Sequence, residues 1–172
     1  RAGICGRRAL ELTRSRLRSS FRAVLDMIVR SPFYSAYVHL PDPDAPTPPE
    51  IATNPRRMPF FKDCIGALDA TQCTMFVEEG DDRKYRNHKG FLLQNVLAVA
   101  HFDMRFAYLL TGWEGSANDA RVLRDARVGD FKIPKGKYYL ADAGYGIHTG
   151  ILPPYRGVRY HLKEWVAAKT GL

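Results

Sequence analysis

The sequence predicts an α/β domain with a mixed sheet, preceded by a basic N-terminal helix. Three observations carry this prediction. Residues 64–68 are apolar without alternation, a pattern typical of a strand covered on both faces. Segments 94–101 and 106–113 have the character of two strands joined by a short hairpin turn. A helix expected from Ser116 to about Arg127 is followed, within 137–145, by a further strand that ends at Asp142. Since a helix between two strands usually returns the chain parallel, we expect antiparallel and parallel pairs in one sheet.

Composition narrows the class of protein. The 172 residues are 45% hydrophobic, enough for one core. No apolar run approaches the roughly 18 residues that a transmembrane helix needs, so we expect no membrane partner. Three cysteines form no CxxC pair and the five histidines show no zinc-binding spacing, so neither a disulfide framework nor a zinc site is expected. This cysteine usage indicates a reducing compartment.

The net charge of +8 is concentrated at the N-terminus. Residues 1–30 hold eight arginines against Glu11 and Asp26, which gives +6. Residues 31–172 hold the other 18 basic and 16 acidic groups, which gives +2. A basic arm on a nearly neutral domain indicates a polyanionic partner such as nucleic acid, and a solvated helix face is the alternative.

Three regions follow from the composition along the chain. Residues 1–37 form a basic helical segment, because apolar side chains recur at helical spacing over 9–30, and this helix could belong to a helix-turn-helix unit. Residues 38–59 form a proline-rich linker without helix or central strand, since 41–59 hold seven of the eleven prolines. Residues 60–172 form the main domain.

Finer elements are expected within the main domain. Residues 72–77 form a second strand, residues 78–90 a polar loop, and residues 162–168 a helix near the end of the chain. The sequence Ser-Ala-Asn-Asp at 116–119 has the spacing of a capping box, which predicts that Ser116 caps the helix and that the Asp119 side chain turns back towards the Ser116 backbone.

Two aspartates stand out in this order of elements. Asp69 and Asp142 each follow an apolar strand, and ligands of open α/β sheets bind where parallel strands end. Two neighbouring carboxylates repel each other, and a divalent cation removes that repulsion. Hard oxygen ligands suit Mg²⁺ or Mn²⁺ and the hydrolysis of phosphodiesters. The alternative is that each aspartate forms a turn or caps a helix.

Several segments together resemble the DDE superfamily endonuclease domain of Harbinger-type transposases and of domesticated nucleases derived from them. The resemblance extends over about residues 38–165, and the helix around 13–29 is similar, more loosely, to the DNA-binding end of the family. The segments that carry it are FFKDCIGALDATQC (60–73), KYRNHKG through NDARVL (84–123), YYLADAGY (138–145) and LPPYRGVRYHLKEW (152–165).

This resemblance implies a ribonuclease H-like fold with flanking helices. It also implies catalytic carboxylates that bind Mg²⁺ or Mn²⁺ and that cleave phosphodiester bonds by a two-metal mechanism. Matched to the motifs, these carboxylates are Asp69 in GALDATQ and Asp142 in ADAGY. Asp119 competes for the second place, because the family carries an aspartate there too, but its capping position explains it without a metal. The implied substrate is DNA and the implied location is the nucleus. A separate DNA-binding accessory protein or a second copy of the chain is the further partner.

The chain departs from the family at three points. Ala70 and Gln72 stand where the family has glycine and histidine in D-G-T-H, and Asn118 stands where the family has a histidine before the aspartate. The third carboxylate of the family is a glutamate on a later helix, which we expect beyond residue 172. We therefore expect that this chain is truncated and that it nicks DNA weakly or not at all. A degenerate, non-catalytic DNA-binding or protein-interaction module is therefore the alternative function.

Basic side chains supply the expected DNA contacts, because phosphate affinity depends on lysine and arginine. Arg14, Arg18 and Arg22 lie on the N-terminal helix. A second group, in the loop at 83–90, consists of Arg83, Lys84, Arg86 and Lys89. A solvated loop is the alternative for this second group.

Overall fold

The computed structural model describes residues 2–77, 82–86 and 89–155, so the helix predicted over 162–168 lies outside the described residues. The chain divides into two compact units, residues 1–39 and residues 40–172. Within the residues described, no helix combines the length and apolar character that a bilayer span requires.

The first unit contains two helices. Helix α1 spans Ala2–Val29, which confirms the helix predicted over 9–30 and begins seven residues earlier than expected. Helix α2 spans Phe33–Tyr37. The apolar stripe of α1 is exposed, with Leu17 at 65% and Phe21 at 69% of their full accessible surface.

The second unit begins with the proline-rich stretch. A single helical turn, α3, spans Pro49–Ala52, so the prediction that this stretch tolerates no helix is wrong. Proline fits there because a helix leaves the N–H groups of its first turn without partners, and proline lacks that group. Ile51 of α3 is 1% exposed. Thr47 ties the stretch to the main domain by donating its hydroxyl to the Lys62 carbonyl at 2.8 Å.

The rest of the unit, as far as it is described, is a five-stranded sheet with two helices and one 3₁₀ turn. In chain order these elements are β1 Cys64–Thr74, α4 Asp82–Tyr85, β2 Leu93–Ala100, β3 Phe106–Glu114, α5 Asp119–Val128, β4 Tyr138–Leu140, the 3₁₀ turn Ala143–Tyr145 and β5 Ile151–Leu152. The strand order across the sheet is β3-β2-β1-β4-β5. Strands β1, β2 and β3 pair antiparallel, whereas β1–β4 and β4–β5 are parallel. This mixed sheet with its parallel return confirms the expected α/β class and is consistent with a ribonuclease H-like fold.

Two predictions about strands are wrong, and one strand was not predicted. Residues 72–77 form no separate strand, because β1 continues through Thr74 while β2 pairs with it residue by residue as far as Leu93. Strand β4 ends at Leu140, two residues before the predicted end at Asp142, because Asp142 already caps the 3₁₀ turn. Strand β5 was not expected, since two residues are too short to produce a recognisable pattern. The loop predicted at 78–90 contains the four-residue helix α4.

The hydrophobic core lies between the sheet and α5. Helix α5 buries Val122, Leu123 and Ala126 against a cluster that includes Leu97 and Val99 of β2. Full burial of such aliphatic side chains contributes about 1.5–3 kcal/mol each to folding. The core therefore fixes the beginning of α5 against β2, on which the position of Asp119 depends.

Candidate functional site

Asp69 lies in the middle of β1, where this strand loses one of its two neighbours. It pairs with Ala98 of β2, whereas the last parallel pair between β1 and β4 is Ala67 with Leu140. The prediction that Asp69 ends its strand is therefore wrong, although it lies just beyond the last residue that β4 covers. Its side chain is exposed, and Oδ1 accepts a hydrogen bond of 2.8 Å from the N–H of Ala70.

Asp142 follows the neighbouring strand, β4, after its end at Leu140. Asp69 is two residues beyond Ala67, and Asp142 is two residues beyond Leu140, the partner of Ala67. Both aspartates therefore follow the last pair of the parallel strands β1 and β4, and such neighbours run about 4.8 Å apart. Asp142 also caps the 3₁₀ turn, with Oδ1 accepting from the N–H of Gly144 at 2.9 Å.

Asp119 is the first residue of α5, and its carboxylate is held by the sheet. The buried amide of Asn95 on β2 donates to Asp119 Oδ1 at 3.0 Å and to the Ala117 carbonyl at 3.1 Å. The predicted capping box is wrong, because the N-cap is Asn118, whose side chain accepts from the N–H of Ala120 at 2.9 Å. Asp119 is thus directed at β2 instead of at the Ser116 backbone.

Tyr145 is buried within electrostatic range of the three aspartates. Its side chain is 1% exposed, and its hydroxyl has no hydrogen-bond partner among the described residues. Burial is the main reason that the pKa of Tyr145 is raised far above its ordinary value, and the negative charges of Asp119, Asp69 and Asp142 raise this pKa further. The three carboxylates therefore lie within electrostatic range of one buried, protonated hydroxyl. Sequence reasoning gave Tyr145 no role, although it ends the D-x-G-Y motif.

The donor set suits a hard divalent cation. Each of the three aspartates engages one carboxylate oxygen, Oδ1, in a hydrogen bond. No three histidine, cysteine or acidic side chains of the described residues form a ready cluster around one metal position. Mg²⁺ does not require one, because it usually binds through one or two carboxylates together with water and substrate phosphate. Asp69 and Asp142, which follow the last pair of two neighbouring parallel strands, supply two such carboxylates.

Comparison with known proteins decides the family. Residues 68–169, more than half of the chain, match the sequence model of the family described as DDE superfamily endonuclease. The chain belongs to this family. Its match begins one residue before Asp69 and includes Asp119, Asp142 and Tyr145.

Curated relatives agree with the DDE endonuclease family and with a Harbinger-type origin. The chain is 29% identical over 93 residues to "Putative nuclease HARBI1" of Rattus norvegicus, which covers 52% of the chain and 27% of the rat protein. It is 28% identical over 127 residues to "Protein ALP1-like" of Arabidopsis thaliana, which covers 63% of the chain and 31% of the plant protein. The chain thus spans less than a third of the length of these relatives. No solved structure matches the chain.

One departure from the DDE endonuclease motif has a structural use. Gln72, which stands in place of the family's histidine, donates its side-chain amide to the Gly115 carbonyl at 2.7 Å. This bond ties the distal part of β1 to the turn that precedes α5. An amide cannot act as an imidazole base, so Gln72 supports the loop that carries Asp119 and does not exchange protons.

The basic residues expected to contact DNA lie in both units of this endonuclease-family chain. Arg14, Arg18 and Arg22 are exposed along α1. Arg83 and Lys84 are exposed on α4, and Arg86 donates from Nη1 to the Gly90 carbonyl at 2.8 Å. Lys89 is also exposed. Their contact with DNA stays a prediction.

Proposed function

We propose that this chain is the catalytic part of a divalent-metal-dependent DNA endonuclease or transposase, with Asp69 and Asp142 as the cation ligands and Asp119 as a further carboxylate in the same region. One observation carries the proposal. Asp69 lies two residues past Ala67 and Asp142 two residues past Leu140, which are the last pair of the parallel strands β1 and β4.

The charges in this region favour a bound cation. Three carboxylates within electrostatic range of one point repel one another, and within the described residues none of them forms a salt bridge with a lysine or arginine. The repulsion among these carboxylates has to be offset by positive charge, and a divalent cation offsets it most strongly. Oxygen-only ligation favours Mg²⁺ or Mn²⁺ over zinc.

The side chains of the site divide the work among them. Asp69 and Asp142 would hold the cation, while Asn95 fixes the orientation of Asp119 by its amide bond. Tyr145 keeps its proton, so that its hydroxyl can donate a hydrogen bond to a water or carboxylate oxygen in front of it. The chemistry that bound Mg²⁺ or Mn²⁺ supplies is the activation of water for in-line attack and the stabilisation of the leaving oxygen, for which a pair of ions is the arrangement we propose.

DNA as the substrate rests on the family and on the basic residues. The name of the rat relative includes the word nuclease. The arginine-rich helix α1, with Arg14, Arg18 and Arg22, and the basic residues at 83–89 would add salt-dependent affinity for phosphates. We place such a protein in the nucleus.

Manganese binding by the 172-residue chain tests the metal site. Isothermal titration is expected to show weak Mn²⁺ binding that Asp69→Asn and Asp142→Asn each reduce by tenfold or more, since an amide keeps the shape but removes the charge. Asp44→Asn is the matched control, because Asp44 is exposed and its carboxylate has no partner among the described residues. Any Mn²⁺-dependent nicking of supercoiled plasmid should be weak and should disappear in the two site variants. Equal Mn²⁺ affinity in all four proteins would contradict the proposal.

The second candidate function is a non-catalytic DNA-binding or protein-interaction module derived from a transposase. The structural role of Gln72 favours it, because a residue that stands in a catalytic-family motif serves here to support a loop. Under this candidate the chain binds DNA, while the nicking of plasmid is the same in the wild type, Asp69→Asn and Asp142→Asn.

A further inference from the structure

A cleft of about 550 Å³ lies along the outer side of α5. Among the described residues it is lined by three arginines of that helix, with Asn118 at one end, Leu123 and Val128 as apolar wall, and His148 from the loop after the 3₁₀ turn. The arginines are Arg121, Arg124 and Arg127. A concave surface of this size with mixed apolar and cationic walls suits a ligand with both characters.

The arginines present a row of positive charge. They follow one another at intervals of three residues, which places neighbouring side chains about 5–6 Å apart on one face of a helix. Within the described residues, none of the three forms a salt bridge. The guanidinium of Arg121 lies 5.3 Å from the centroid of the Trp113 ring, which holds it in place without neutralising it.

Asp125, which lies between Arg124 and Arg127 in the sequence, is engaged elsewhere. Asp125 accepts a hydrogen bond of 3.2 Å from the indole N–H of Trp113. Trp113 therefore contacts both charges, with its ring under Arg121 and its N–H on Asp125. This arrangement leaves the edge of the Arg121 guanidinium, with its N–H donors, available to a ligand in the cleft.

Two lining residues of the cleft lie close in the chain to the carboxylate site. Asn118 immediately precedes Asp119. His148 follows the 3₁₀ turn that Asp142 caps. The cleft is therefore lined by neighbours of the elements that carry Asp119 and Asp142, whereas neither aspartate lines it.

We propose that this cleft binds the sugar–phosphate backbone of the DNA strand next to the phosphodiester that the carboxylates act on. This inference rests on the proposed function, because the cleft would supply the positive charge that the carboxylate site lacks. Carboxylates repel DNA, so the strand has to be held by positive charge beside them.

From Arg121 to Arg127 the helix rises about 9 Å, at about 1.5 Å a residue. One strand of DNA carries a phosphate about every 3.4 Å of its axis, so the row spans two to three phosphates. Guanidinium groups bind phosphate oxygens in pairs, and the apolar wall suits the sugars.

Salt-dependent DNA binding tests this assignment on the full 172-residue chain. The test variant is Arg124→Gln/Arg127→Gln, which leaves Arg121 on Trp113. The control is Arg56→Gln/Lys135→Gln, which removes the same charge from two exposed side chains outside the cleft. Affinity for a fluorescent duplex is measured by anisotropy over a series of salt concentrations, without divalent metal. The slope of log Kd against log salt should fall by about 1–2 in the test variant relative to the control, since each lost phosphate contact removes about 0.9. Equal slopes in both variants would overturn the cleft as a DNA site.

Failure of this inference and failure of the proposed function are separable. The arginine variant is expected to keep the Mn²⁺ affinity of the wild type, whereas Asp69→Asn and Asp142→Asn are expected to keep the salt slope. If the arginine variant does not fold, the protection of arginines from chemical modification in the wild type replaces the comparison of variants. Bound duplex should shield Arg124 and Arg127, but not Arg56, from an arginine-modifying dicarbonyl, as read by mass spectrometry. Equal modification of all three arginines with and without DNA would overturn the inference.

Discussion

Tyr145 and the aspartates around it illustrate what single residues reveal in a sequence and what they do not. Asp69 and Asp142 were identifiable because each follows an apolar segment and stands in a motif of the family. Asp119 was identified as a competitor of Asp142 for the second catalytic position and was then explained as part of a helix cap. The hydrogen bond that Asp119 accepts from Asn95 removes this explanation. Tyr145 could not be given a role from sequence, because the burial of its hydroxyl near three acids depends on contacts among α5, β1 and the 3₁₀ turn.

Replacement of Tyr145 by phenylalanine separates its two effects. A buried hydroxyl without a partner costs about 1–3 kcal/mol, so Tyr145→Phe should raise the free energy of unfolding of the metal-free chain by about 1 kcal/mol. The same variant should weaken Mn²⁺ binding, because the donor next to the site is lost. Denaturant unfolding and isothermal titration measure the two quantities.

Tyr139→Phe is the matched control for that variant. The hydroxyl of Tyr139 is also buried and has no partner among the described residues, but the pKa of Tyr139 is raised by burial and then by Cys64, with no aspartate involved. It should change stability in the same direction and leave Mn²⁺ affinity unaltered. Equal weakening of Mn²⁺ binding in both variants would show that Tyr145 has no special place at the site.

At the scale of elements, regular patterns were predictable and boundaries were not. The hairpin of β2 and β3 and the helix α5 were recognised from alternation and helical spacing. The start of α5 was misplaced, because Ser116 has the spacing of a capping residue while the backbone there is a turn, closed by the Ala117 N–H on the Glu114 carbonyl at 2.9 Å. The Ala117 carbonyl in turn accepts from Asn95, a contact from a distant strand that no local pattern records.

Alanine substitution at two neighbouring positions tests which residue caps α5. Asn118→Ala should lower the free energy of unfolding by about 1 kcal/mol, because it removes the acceptor for the Ala120 N–H. Ser116→Ala should change it by less than about 0.5 kcal/mol, since Ser116 is exposed and its side chain has no partner among the described residues. Chemical denaturation of both variants measures the difference. A larger loss in Ser116→Ala would restore the capping box.

At the scale of the whole molecule, the most useful prediction was the parallel return of the chain. A helix between strands implied that the Asp142 strand lies beside the Asp69 strand, and β4 does pair in parallel with β1. Two details came only from the structure. Strand β1 continues five residues past Asp69, because β2 still pairs with it there, and β4 stops at Leu140. Both aspartates therefore lie past the last pair of β1 with β4, and strand length depends on partners that local sequence does not specify.

The location of a bound manganese ion tests the central claim most directly. Crystals of the chain grown with Mn²⁺ would be measured at a wavelength where manganese scatters anomalously. We expect an anomalous peak within about 2.0–2.5 Å of an oxygen of both Asp69 and Asp142. That peak should be absent from crystals of Asp142→Asn grown in the same way. Manganese found only at other acidic residues, or bound at the same position in the variant, would contradict the assignment of Asp69 and Asp142 as the metal-binding pair.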